Sequence, residues 1–133
     1  VVAGFSCFND GSIRDFQRHT HQFTPGKNFD ASGACGPWMV PKDELSFPTK
    51  LSTYVAGERR QHATTDHMTF SIVDILHYVT QFTTLEPGDV IATGTPAGVG
   101  HKRNPPCYLQ PGDTVEVDIE GLGRLRNLVV AET

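Results

Sequence analysis

The stretch Thr114-Val115-Glu116-Val117-Asp118-Ile119-Glu120, followed by Gly121-Leu122-Gly123 and then Arg124 to Val130, sets the fold class. Apolar and charged residues alternate with a period of two in its first half. Val115, Val117 and Ile119 therefore share one face of a strand, and Glu116, Asp118 and Glu120 share the other. The glycines around Leu122 supply a reversal, and the chain returns as a second strand with a dry side and a wet side. The three carboxylates could pass for a ligand cluster, but their alternation with inward valines makes them a solvated face.

Other segments extend this pattern. Leu51, Thr53 and Val55 alternate, Ala56-Gly57 makes a turn, and Glu58 to Gln61 return as a polar partner. Val1 to Asn9 and Val90-Ile91-Ala92-Thr93 read as strands buried on both faces, and Trp38-Met39-Val40 as a short strand ended by Pro41. Leu85-Glu86-Pro87-Gly88-Asp89 and Leu109-Gln110-Pro111-Gly112-Asp113 reuse one type II turn, each launching a strand. One long helix is expected from Ser71 towards Pro87-Gly88. Ser71 and Asp74 have the spacing of a capping pair, and Ile72, Ile75, Leu76, Val79 and Phe82 form one apolar stripe. Ser12 and Asp15 suggest a similarly capped short helix after Asp10-Gly11, and residues 18–36 read as a loop. Thirteen glycines and nine prolines fit a chain of many tight turns. The expectation is a β-rich α+β fold in one domain, residues 1–133. Its mass of 14.6 kDa would expose roughly 6,900 Å² when compact, enough burial for a real core.

Eleven basic residues against fifteen acidic ones leave a net charge of −4 and speak against a nucleic-acid binder. Arg59-Arg60 and Lys102-Arg103 are isolated pairs. No apolar run reaches the ~20 residues of a membrane-spanning helix. Cys7, Cys35 and Cys107 are far apart without a Cys-x-x-Cys spacing, which fits buried thiols in a reducing cytoplasm.

Several residues invite chemistry. Asp10 stands where a strand meets a turn, as a ligand for a hard cation or as a local cap. Lys27, after Pro25-Gly26, is either a stabiliser of developing negative charge or an exposed loop lysine. Gln17, one turn past Asp10, either projects to the same side or lies on the surface. The loop Gly94-Thr95-Pro96-Ala97-Gly98-Val99-Gly100 lacks the Gly-Lys-Ser/Thr of a phosphate loop. It is either a plain turn or a close backbone approach to a ligand, with Gly94 and the Thr95 hydroxyl as contacts. His19 and His21 form an isolated His-x-His pair, more in keeping with surface than with a metal site.

Taken in order, the motifs resemble the fumarylacetoacetate hydrolase family over essentially the whole chain. They are Phe8-Asn9-Asp10-Gly11-Ser12-Ile13-Arg14-Asp15-Phe16-Gln17, Gly26-Lys27-Asn28-Phe29 and Gly36-Pro37-Trp38-Met39-Val40. Met68-Thr69-Phe70-Ser71-Ile72, Leu85 to Ile91 and Thr93 to Gly100 follow, with Gly112-Asp113 and Gly121 to Asn127 last. The resemblance implies a mixed β-sandwich roll, a cytoplasmic homodimer, and a small 2-oxo acid or 1,3-dicarbonyl substrate. It implies Asp10 as a ligand of Mg²⁺ (or Ca²⁺ or Mn²⁺), Gln17 and Lys27 as catalytic contacts to substrate, and Thr95 with Gly94 as substrate binders. The implied reaction is C–C bond hydrolysis through an enolate that the metal and Lys27 stabilise. The alternatives are an isomerase or decarboxylase of aromatic-acid catabolism, or a non-catalytic small-acid-binding module. Two departures stand out. The family's Glu-x-Glu ligands and its water-activating His/Glu pair belong upstream of Val1, so residues 1–133 read as the C-terminal portion of a larger enzyme. Ala56-Gly57 also stands where Asn-Gly would suit a type I′ hairpin.

Overall fold

A computed structural model describes residues 2–131. The chain forms β1 (Gly4–Asn9), α1 (Arg14–Gln17), β2 (Ala34–Pro41), β3 (Lys50–Val55), β4 (Glu58–Thr64), α2 (Ile72–Val79), β5 (Thr114–Ile119) and β6 (Gly123–Leu128). Strands β1 and β2 make a two-stranded sheet, and the other four make a sheet in the order β4-β3-β5-β6. Every ladder is antiparallel. The small sheet packs on β5 and β6 of the larger one, giving the expected β-rich α+β sandwich with few helices.

The core lies between the sheets. Cys7 from β1, Val117 from β5, Leu122 from the last turn and Leu125 from β6 form one buried cluster, with Phe5, Ala34, Val40, Leu45 and Ile119 around it. The period-two reading of the final hairpin holds: Val115 and Val117 are buried. The outward Glu116 and Asp118 pair with Arg124, and Glu116 also with Arg126. Fully burying such aliphatic side chains stabilises by about 1.5–3 kcal/mol each. The Cys7 thiol is fully buried and reaches the Gly123 carbonyl at 3.5 Å, and burial pushes its pKa up, so it serves as a small apolar side chain. Cys35 and Cys107 are exposed, against the expectation of buried thiols: Cys35 follows core-facing Ala34 on β2 and so turns to its other face, and Cys107 lies on the irregular segment before β5.

Several boundaries differ from the sequence expectations. The capping box on α2 forms as expected, with Ser71 accepting from the Asp74 amide and the Asp74 carboxylate accepting from the Ser71 amide. The helix nevertheless stops at Val79 and does not run to Pro87, because the Thr80 amide closes the last turn on Leu76 and Tyr78. At α1 the N-cap is Ile13, and the Ser12 hydroxyl instead donates to the Asp10 carbonyl at 3.3 Å. Val90 to Thr93 form no strand. No described strand lies alongside to complete a ladder, and Val90 is 72% exposed. The apolar stripe of α2 is only half covered: Ile72, Ile75, Leu76 and Val79 are half-buried, Phe82 beyond the helix is exposed, and Val73 and Tyr78 point outward off the stripe. The accessible surface is 9592 Å², well above the compact expectation, because the helical segment and residues 83–113 stand away from the small core.

The β3–β4 turn carries a specific strain. Ala56 has φ +48° and Gly57 φ +80°, the left-handed pair of a type I′ turn, and alanine has no side-chain hydrogen bond to offset that conformation. Ala56→Asn should raise stability by about 1 kcal/mol, read as a higher urea midpoint with an unchanged slope. An unchanged or lower midpoint would show that the turn carries no such penalty.

Candidate functional site

The end of β1 delivers Asp10, and the Gly11 amide turns back on the Asn9 carbonyl at 2.9 Å. The chain then enters α1, whose start is tied to a neighbouring turn: the Ile13 amide donates to the Gly26 carbonyl at 2.9 Å. Gly26 lies against Gln17 so closely that an added Cβ would sit 2.6 Å from the Gln17 Cα and Cβ. Only glycine fits there. That approach fixes Lys27, the next residue, whose ammonium reaches the Asp10 carboxylate as an ion pair. Gln17 is buried, and its side-chain oxygen accepts from the Arg14 guanidinium. Phe16 meets Phe29 edge-on at 4.9 Å between ring centres, which holds the Lys27 loop to α1 from the other side.

The structure thus brings Asp10, Gln17 and Lys27 together on one unit. Asp10 does not cap its turn, since its carboxylate is engaged by Lys27. The Asp10 and Lys27 side chains are 45% and 28% exposed, so the pair contributes at most about 1 kcal/mol of stability; its consequence is placement.

Thr95 belongs to a second anchor. Its hydroxyl accepts from the Gln61 side-chain amide of β4 at 2.8 Å, and the same nitrogen donates to the Pro96 carbonyl at 2.8 Å. Gly98 presses on the Arg60 carbonyl, which an added Cβ would approach to 2.2 Å. Arg103 closes the arrangement by donating to that carbonyl at 2.9 Å and to the Gly98 carbonyl at 3.3 Å. The glycine-rich loop is therefore pinned to β4 and is no free turn. Gly94 is exposed, at φ +104°, with open space beside its backbone.

One polar chain joins the two anchors. Arg18, the C-cap of α1, lies 3.0 Å from His101 Nε2, and His101 Nδ1 lies 3.0 Å from the Tyr108 hydroxyl. Among the described residues no hydrogen bond or ion pair joins Thr95 to Asp10, Gln17 or Lys27 directly. Sequence reading missed Gln61, Arg103, His101 and Tyr108. Their partners lie up to 83 positions away, and no periodicity reports such a contact. His19 turns its ring to Phe16 at 4.8 Å, and His21 is exposed.

As a divalent-cation site these residues are incomplete. Asp10 offers one carboxylate beside an ammonium, and among the described residues no three His, Cys, Asp or Glu side chains converge. Mg²⁺ needs six oxygen donors, several of which are normally waters, and one exposed carboxylate cannot hold it firmly. Calorimetry of the 133-residue chain with Mg²⁺ should therefore show binding no tighter than millimolar. Micromolar binding abolished by Asp10→Ala would overturn that expectation.

His101 supplies a second test. Partial desolvation, followed by the charges of Arg14, Arg18 and Lys102, lowers its pKa below the ordinary imidazole value. A base whose folded pKa is depressed takes up its proton more readily when unfolded. Its contribution to stability is thus present above the ordinary imidazole pKa and lost as pH falls towards the folded value. Following His101 by NMR should give a midpoint below that of a free imidazole, and Arg18→Gln should move it upward. A midpoint at or above the free value would sink this account.

Comparison with known proteins identifies the frame around these residues. The family model for the fumarylacetoacetate (FAA) hydrolase C-terminal region matches residues 1–130. The mitochondrial oxaloacetate tautomerase Fahd2a of Rattus norvegicus is 46% identical over 132 residues, covering 97% of this chain and 42% of the relative. The solved fumarylacetoacetate hydrolase of Exiguobacterium antarcticum superposes with a TM-score of 0.94 at 46% identity, covering 98% of this chain and 47% of that one. Maleylpyruvate hydrolase from Sphingobium sp. SYK-6, in complex with manganese(II) ion and pyruvate, superposes at 0.85 with 29% identity, over 100% of this chain and 46% of that one. The chain spans under half the length of these proteins. With the family pattern running through β1, the Lys27 loop and the Thr95 loop alike, the chain belongs to the fumarylacetoacetate hydrolase family.

Proposed function

We propose that this chain carries the substrate-binding half of an enzyme that forms an enol or enolate from a small 2-oxo acid. The observation that supports it is the Asp10–Lys27–Gln17 unit, in which a lysine is ion-paired with a carboxylate next to a buried amide. In this reading Lys27 donates to the oxygen on which negative charge develops, and Asp10 positions it. The Gln17 amide orients the same oxygen, and the Thr95 hydroxyl, with the open backbone at Gly94, takes the substrate carboxylate. A divalent cation (Mg²⁺, Mn²⁺ or Ca²⁺) would polarise the carbonyl when bound, with the Asp10 carboxylate as one of its ligands.

Keto–enol tautomerisation comes first among the reactions. A C3–H proton leaves, the C2–C3 double bond forms, and the C2 oxygen gains the proton, so the step needs no water. The 46% identity to an oxaloacetate tautomerase favours it. C–C bond hydrolysis passes through the same enolate, and a solved fumarylacetoacetate hydrolase is also 46% identical, so what ranks tautomerisation first is that its step needs no activated water. The Lys27 ammonium on the Asp10 carboxylate, where a cation would bind, favours a second reading, a binding module without turnover. A homodimer that covers the open α2 face belongs to the same proposal, with a cytoplasmic or organellar location equally served.

The test is steady-state kinetics on the full natural chain with Mg²⁺ or Mn²⁺, using oxaloacetate, an acylpyruvate and a 2-hydroxymuconate-type diacid. Lys27→Met should lower kcat by about 10²–10³. Thr95→Val should act mainly on KM. Full activity in Lys27→Met would remove the enolate role, and no turnover of any substrate would leave the binding-module reading.

A further inference from the structure

Strand β4 does not alternate strictly. Val55 pairs with Glu58, Tyr54 with Arg59 and Thr53 with Gln61, which leaves Arg60 without a partner on β3. This is a β-bulge, two residues set against one, and it re-aims the chain beyond it. Counted by twos from the hairpin turn, Arg60 and His62 would follow Glu58 on one face and Gln61 would lie on the other. The bulge exchanges them. Gln61 stands in one row with buried Thr53 and Val117, so its side chain is on the inner face, at the sheet edge where the glycine-rich loop docks. The Arg60 carbonyl at the bulge accepts from Arg103 and lies against Gly98, which holds that loop in place.

Gln61 then decides which way the Thr95 hydroxyl points. One Gln61 atom lies 2.8 Å from the Pro96 carbonyl oxygen and 2.8 Å from Thr95 Oγ1. A carbonyl oxygen only accepts, so that atom is the amide nitrogen, which has no acceptor capacity of its own. Its two hydrogens are spent, one on each oxygen. Thr95 Oγ1 is therefore an acceptor from Gln61, and its own O–H is left to donate elsewhere. Among the described residues no other hydrogen bond uses that hydroxyl, and Thr95 is exposed beside the open backbone of Gly94.

We propose that Gln61 is a positioning residue: turned inward by the bulge and locked in orientation by the Pro96 carbonyl, it keeps the Thr95 hydroxyl a donor and so makes that end of the site prefer a carboxylate to a carboxamide. This rests on the reading of Thr95 as the residue that takes the substrate carboxylate. A carboxylate oxygen receives the hydroxyl proton in a charge-assisted bond, about twice as strong as the neutral bond to an amide oxygen. Without Gln61 the hydroxyl rotates freely and accepts from an amide N–H as readily as it donates, and the preference shrinks. Arg103 touches the loop through backbone carbonyls alone, so it sets where the loop sits and not how the hydroxyl points.

The experiment uses pyruvate and pyruvamide, which differ only in carboxylate against carboxamide. Each is titrated into the full natural chain with Mg²⁺ at fixed ionic strength, followed by NMR of labelled threonine methyl groups, with Thr95→Val assigning the Thr95 signal. Pyruvate should bind about tenfold more tightly than pyruvamide and shift the Thr95 methyl. Gln61→Met and the shorter Gln61→Asn, each checked for native methyl dispersion, should weaken pyruvate severalfold and leave pyruvamide unchanged or tighter, a ratio of about two. Arg103→Lys should weaken both ligands by one common factor and keep the ratio. A ratio near one in the unaltered chain, or both ligands weakened alike in the Gln61 variants while Thr95→Val still weakens pyruvate, would overturn the positioning role alone. If pyruvate leaves the Thr95 methyl unshifted and binds Thr95→Val as well as the unaltered chain, the carboxylate reading of Thr95 fails and this proposal falls with it.

Discussion

The closeness of Gly26 to Gln17 is the constraint on which the candidate site depends. A single added methyl would collide with the Gln17 backbone at 2.6 Å, so the turn and helix α1 lock together only while position 26 carries no side chain. The Ile13–Gly26 backbone bond then sets the register of the two segments. From that contact follow the burial of Gln17, the path of Lys27 and the pairing of Lys27 with Asp10. An exposed ion pair could not by itself organise this unit, because screening and side-chain entropy leave it worth little. Backbone contact does the positioning, and charge finishes it.

The unit is carried by β1, and β1 is held by the buried apolar cluster between the sheets. Cys7, with no exposed surface, packs on Val117, Leu122 and Leu125, which joins the small sheet to the large one. Asp10 lies three residues beyond Cys7. A core of this size can fix one strand firmly, but it leaves the apolar stripe of α2 only half-buried and does not reach residues 90–93. That division explains the large accessible surface: the part bearing the Lys27 unit is packed, and the part bearing α2 presents apolar side chains such as Phe70 and Val73 outward.

The legible features were those with short-range causes. The alternation of Val115, Val117 and Ile119 identified a strand because its period is local, and the Ser71–Asp74 capping box identified a helix start for the same reason. Ala56-Gly57 was readable even as a compromise, since the turn type demands a left-handed pair whatever residues fill it. The extent of α2 and the strand at Val90 were not legible, because both depend on a partner surface that local pattern assumes and cannot supply. At the site, Asp10, Gln17, Lys27 and Thr95 were visible only through ordered family motifs; taken singly, the ordinary explanation was the better one for Asp10 and Lys27 and as good for Thr95. Gln61, Arg103 and the Arg18–His101–Tyr108 chain left no trace in spacing, because hydrogen bonds across dozens of residues impose none.

The two anchors of the site are held by different parts of the fold. The Asp10–Gln17–Lys27 unit follows β1 and the inter-sheet core, and the Thr95 loop follows the edge strand β4 through Gln61 and Arg103. The Thr95 loop is held to β4 by a few side-chain contacts and not by the buried core, so the separation between Lys27 and Thr95 is less constrained than either unit. Arg18, His101 and Tyr108 span it with bonds that are open to solvent and therefore weak singly. A weak bridge between two firmly built halves lets the halves remain correct while their spacing adjusts to a ligand.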